Sequence, residues 1–105
     1  ADSHAHLDME DFDRDRDAVL ERARHGGVGA VLCPFELTGA RPPLPKGGGD
    51  RPILLRAAGV HPHEARRADA ATIERLEAMA AAGGIRAVGE IGLDFHYNLS
   101  PPEIQ

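Results

Sequence analysis

Residues 12–34 read FDRDRDAVLERARHGGVGAVLCP, and this stretch decides the fold class. In its first part Val19, Leu20 and Ala23 recur at helical spacing between charged residues, which predicts an amphipathic helix. Asp11 or Asp13 is expected to cap its start and Gly26 to end it. The remainder, VGAVLCP, is a short apolar run closed by Pro34, and it predicts a buried strand. A helix that passes directly into a fully apolar strand is the repeating unit of parallel α/β folds.

The same alternation extends along the chain. ILLRAAGV, from Ile53 to Val60, predicts a second buried strand. DAATIERLEAMAAAGG predicts a helix with Asp69 as cap, Ile73, Leu76 and Ala80 on one face, and Gly83 and Gly84 as the stop. IRAVGEIGLD predicts a third strand, with Gly89 and Gly92 near its end. The opening ADSH, lying before a helix and a strand, reads as the tail of a first strand. The expected fold is therefore α/β, with about four parallel strands and crossover helices. One step breaks the rhythm. Residues 35–52 are rich in Pro and Gly and lack helical periodicity, so an irregular crossover is expected there.

Composition narrows the function classes. The chain has 105 residues and a formal charge of -5, which suits one domain and opposes a simple electrostatic clamp on nucleic acid. A nucleic-acid substrate held through bound cations stays open. Cys33 is the single cysteine, so neither an internal disulfide nor a thiolate cluster can form. Its place inside AVLCP predicts a buried, inert thiol. No apolar stretch approaches the roughly 20 residues of a membrane span, and no leader segment is visible. The expectation is a cytoplasmic protein without membrane contact.

Polar residues gather where the apolar runs end, and parallel α/β folds build their sites at those carboxyl ends. His4 and His6 stand two apart, so in an extended segment both imidazoles project to one face, as two ligands on one metal ion would. Two surface histidines are the alternative. In GVHPHE, Pro62 restricts His61 to an extended conformation that points into the strand-end site, while His63 is read as turning toward the next helix. His61 could contact substrate or phosphate, relay a proton, or make a structural hydrogen bond. In GEIGLD, Glu90 ends an otherwise apolar strand, a costly position unless a cation compensates. That cation is a metal held with His4 and His6, or Arg86 in an ion pair. Asp94 is expected to accept loop hydrogen bonds or to orient ligands. Arg66 and Arg67 are read as a solvated pair, His25 as a helix-end histidine, and His96 is left open.

DSHAHLD, FDRDRDAVLERAR, GVHPHEA and GEIGLDFHYNLSPPEIQ occur in the order and spacing of the TatD-like metal-dependent deoxyribonucleases, which the chain resembles over nearly its whole length. The Pro/Gly-rich segment, where that family usually has a helix, is a departure. The resemblance implies the N-terminal half of a (β/α)8 TIM barrel that hydrolyses phosphodiesters in DNA with divalent metal ions, two of them, drawn from Mg, Mn or Zn. It implies His4 and His6 as a ligand pair, Glu90 as a bridging carboxylate and His61 as a residue facing substrate; Asp94, past the strand end, is expected as a further substrate-binding residue. The family's later ligands have no counterpart up to Gln105, so a second chain or a following half is expected to complete the barrel. Residues 1–105 alone are then expected to be inactive. In SPPEIQ, Ser100, Pro101 and Glu103 read as a helix start. Two further readings stay open: another amidohydrolase-like metal hydrolase, and a non-catalytic or split-chain module.

Overall fold

The computed structural model describes residues 1–105. Helix α1 spans Arg16–His25, strand β1 Ala30–Glu36, strand β2 Ile53–Gly59, helix α2 Ala70–Ala81 and strand β3 Ala87–Val88, with short 3-10 turns at Glu10–Phe12 and Pro62–Arg67. The strands form one parallel sheet in the order β1-β2-β3. The α/β class thus holds, with three strands in place of four. The opening segment contributes a single parallel bridge, Asp2 to Val31, beside β1. It is held there by hydrogen bonds from the Asp2 amide to the Ala30 carbonyl, from the Leu32 amide to the Asp2 carbonyl and from the Ala5 amide to the Leu32 carbonyl. Its carbonyl and amide groups pair with β1 only at these points before the chain turns toward residues 7–9, which is too little for a full strand.

Four local expectations are corrected. Helix α1 starts at Arg16 behind Asp15, not behind Asp11 or Asp13. Asp13 instead accepts from the Arg16 guanidinium at 2.6 Å, and that guanidinium also donates to the Leu7 and Met9 carbonyls. Strand β1 passes through Pro34 and ends at Glu36. Leu32, of the same parity as Pro34, turns its amide toward Asp2, so the missing N–H of Pro34 falls on that sparsely paired side and not in the ladder to β2. The long strand expected over IRAVGEIGLD shrinks to Ala87–Val88. In α2 the inward residues are Leu76 and Met79, whereas Ile73 is exposed. Asp69 does cap α2, accepting from the Thr72 amide at 2.8 Å.

Both helices cover the same face of the sheet. Side chains alternate along a strand, so Val31, Cys33 and Phe35 point one way. Val31 and Cys33 pack with Leu7, Leu54 and the fully buried Leu20 of α1. Phe35 packs with Leu37, Ala58 and Ile85, against which Leu76 and Met79 of α2 lie. Burying a side chain the size of Leu20 stabilises the fold by about 1.5–3 kcal/mol. On the same face Arg56 is buried, 3% exposed, and its charge is met by the Asp8 carboxylate, itself 3% exposed. Arg56 also donates to the Pro42 carbonyl, and so ties residues 37–52, which hold no helix or strand, to the sheet. The opposite face carries Ile53, 57% exposed, the half-buried Leu55 and the buried Pro34 and Ala57.

Candidate metal centre

The carboxyl ends of the three strands and the end of the opening segment lie together. There His4, His6 and Glu90 place one ligand atom each within 4.8 Å of one another. The Nε2 atoms of His4 and His6 are 3.1 Å apart, and His4 Nε2 lies 3.4 Å from Glu90 Oε2. Two donor atoms bound at about 2.1 Å to one ion stand roughly 3.0–3.4 Å apart at octahedral to tetrahedral angles, so the two separations made by His4 fit donors on one divalent ion, while His6 and Glu90 stand further apart, within 4.8 Å. Two neutral imidazoles and a carboxylate suit Zn, Mn or a related ion. Arg86 takes no part: the Glu90 carboxylate faces His4 through one oxygen and His61 Nε2, at 3.5 Å, through the other.

Local chain geometry explains this convergence. Gly59 ends β2 against the Glu90 segment, and a Cβ there would lie 2.9 Å from the Gly89 carbonyl carbon and from Ile91 Cγ2. Only glycine lets the Glu90 backbone approach so closely. The His4 amide donates to Asp2 Oδ1 at 2.9 Å, which shapes the turn carrying the histidine pair.

A cavity of about 380 Å³ opens beside these residues, lined by His6, Glu36, His61, His63, Glu64 and Glu90 among others. No Lys or Arg lines it. An anionic ligand would therefore need a bound cation to enter.

His61 lines this cavity. Its Nδ1 accepts the His63 amide at 3.2 Å and thereby starts the Pro62–Arg67 turn. His63 is not turned away: it lines the same cavity, and its Nε2 lies 3.3 Å from Asp94 Oδ2. Asp94 organises the loop that follows, accepting from the His96 and Tyr97 amides on one oxygen and from Asn98 on the other. Those amides, the His96 bond first, hold its carboxyl below the ordinary aspartate value, with the nearby His63 adding to them. Asp94 is thus a loop organiser that reaches the cavity only through His63.

Other readings change with the structure. Arg67 is not merely solvated; it pairs with Glu64 at 2.8 Å and donates to the Thr38 carbonyl. The Ser100 hydroxyl donates to the His63 carbonyl at 2.9 Å, and beyond it the Gln105 amide donates to the Pro101 carbonyl at 3.2 Å. Glu36 was not singled out in the sequence, because Pro34 read as the end of its strand. The available signal was a carboxylate directly after the apolar run AVLCPF, the same signal that marks Glu90.

The chain is thus a parallel α/β protein with a candidate metal-holding cluster of two histidines and one carboxylate at its strand ends. The model for TatD related DNase matches residues 1–105, and the chain belongs to this family. It is 35% identical to the 3'-5' ssDNA/RNA exonuclease TatD of Pectobacterium carotovorum, with 99% of this chain aligned to 40% of that protein. It is 36% identical to the proteins of the same name from Escherichia fergusonii and Musicola paradisiaca, again over 99% of this chain and 40% of theirs. The chain therefore spans about 40% of the length of the curated relatives it matches.

Proposed function

We propose that residues 1–105 form the amino-terminal part of a (β/α)8 barrel that hydrolyses phosphodiester bonds in DNA or a related nucleic acid. The observation that carries this reading is the convergence of His4, His6 and Glu90 at the carboxyl end of a parallel sheet. Packing of both helices on one sheet face supports the barrel, since a barrel wall turns one face to helices and the other to its own interior. The relatives' 3'-5' exonuclease activity on single-stranded DNA or RNA supports the substrate class.

In this reading His4, His6 and Glu90 would hold a divalent ion, Mg, Mn or Zn, and Glu90 would also serve a second one. Such ions lower the pKa of bound water and neutralise a scissile phosphate. His61 faces the substrate. Its Nδ1 accepts the His63 amide, so a proton on its ring sits at Nε2, the atom turned toward Glu90 and the cavity. The Nε2–H can donate to a phosphate oxygen or a leaving oxygen. His63 and Asp94 steady the turn on which His61 stands.

The test compares hydrolysis of single-stranded DNA, with Mg or Mn, by the full polypeptide carrying this chain and by its His6→Ala variant. The variant is expected to lose metal affinity and activity together. Equal activity in both overturns the assignment.

A further inference from the structure

We propose that Glu36 is a positioning residue of the strand-end site, splinting the end of β1 to the turn that carries His61. The inference rests on the phosphodiesterase reading above only for its activity readout. Glu36 lies at the last position of β1 and lines the same cavity as His6, His61 and Glu90. Its Oε2 accepts the His61 backbone amide at 2.9 Å. Its Oε1 accepts both the Thr38 amide and the Thr38 hydroxyl, each at 2.8 Å. A carboxylate offers acceptors alone, and here three donors converge on it, so one side chain joins two strand ends across 25 residues of sequence.

The surroundings fix Glu36 in turn. The Leu37 amide donates to the Gly59 carbonyl at 2.8 Å. Arg75 of α2 donates to the Leu37 carbonyl at 3.0 Å, and Arg67 to the Thr38 carbonyl at 3.1 Å. Residues 36–38 are thus tied to β2, to α2 and to the turn after His61. Because Pro62 restricts the backbone of His61, fixing its amide also fixes where its ring stands over Glu90, 3.5 Å away. Glu36 is not among the three clustered ligand residues. Its role is to place His61, and the metal ligands keep their positions without it.

The experiment uses the full polypeptide and two variants, Glu36→Ala and Glu36→Gln, each checked for folding by circular dichroism. Ala removes every acceptor. Gln keeps one oxygen that can still take the His61 amide. Misplacing a reacting group by about 1 Å costs on the order of 100-fold in rate. Glu36→Ala is therefore expected to lower kcat on single-stranded DNA by about 10–100-fold, and Glu36→Gln is expected to recover most of it. Mn affinity, measured by calorimetry, should stay within about twofold of wild type in both, because no metal ligand has moved. The proposal is overturned by unchanged kcat in Glu36→Ala, or by Mn affinity that falls in step with kcat. If the wild type cleaves no phosphodiester, the functional reading fails, and the positioning role is decided by NMR. The His61 amide resonance should then move in Glu36→Ala and largely return in Glu36→Gln. A His61 amide and ring unmoved by Glu36→Ala overturn the positioning role.

Discussion

Replacing Asp8 by Ala removes the partner of a buried arginine and leaves the arginine in place. The side chains of Arg56 and Asp8 are each 3% exposed, so neither charge can be solvated where it stands. Without Asp8, Arg56 keeps the Pro42 carbonyl and the face of Phe35, 5.4 Å away, while its Nε has no partner even in the intact protein. Breaking one side of a buried pair costs about 3–5 kcal/mol. The sparse remaining partners put Asp8→Ala at the upper end of that range, a large share of the roughly 5–15 kcal/mol that holds a domain folded. The double variant Asp8→Leu/Arg56→Met removes both desolvation costs and should recover most of the loss. Asp8 also follows His6 by two residues, so the single variant should loosen the histidine pair and weaken Mn binding. Urea unfolding followed by circular dichroism measures the stability, and calorimetry the Mn affinity. A loss below about 1 kcal/mol, the value of an exposed pair, would refute the reasoning. So would a double variant no more stable than Asp8→Ala.

Gly59→Ala forces a Cβ against the Gly89–Glu90 backbone and should weaken Mn binding by about 10–100-fold while the protein stays folded; unaltered affinity by calorimetry contradicts this. Cys33 is fully buried and burial pushes its thiol pKa up, so a thiol reagent should label it only as fast as the protein unfolds. Labelling of the native protein at the rate of a free thiol would count against the packing described. Asp94 has a carboxyl held below its ordinary value, so its loop is fully stabilised above about pH 4. That stability fades as pH falls further, through the lowered native pKa. NMR amide signals of His96, Tyr97 and Asn98 should shift together in that acid range and be shifted already in Asp94→Asn, whereas signals constant down to about pH 2 oppose the assignment.

Periodicity was enough to read α1 and α2, because an apolar stripe at helical spacing has one stable way to be buried. It was enough also for β1 and β2, whose continuous apolar runs suit strands packed in a parallel sheet. The strand ends were less legible. Pro34 reads locally as a stop, yet the ladder to β2 leaves its missing N–H on the sparsely paired side, and the strand runs on to Glu36. Glu36 was hidden for that reason. The span of β3 was overread: nothing in IRAVGEIGLD shows that pairing with β2 covers only Ala87–Val88. Arg56 lies inside an apolar run with no local hint of its partner, which is Asp8, 48 residues earlier.

By itself, the sequence determined the α/β alternation, the helices, the buried thiol and the candidate status of His4, His6, His61 and Glu90. Each of these follows from local pattern or from residue chemistry at a strand end. Only the tertiary structure decided which of those side chains meet. It brought His4, His6 and Glu90 together and excluded Arg86 as the partner of Glu90. It joined Asp8 to Arg56 and added Glu36 beside His61. The physical reason is that a side chain's partner depends on strand register and on how closely backbones approach, as at Gly59, and neither is encoded in the spacing of any one segment.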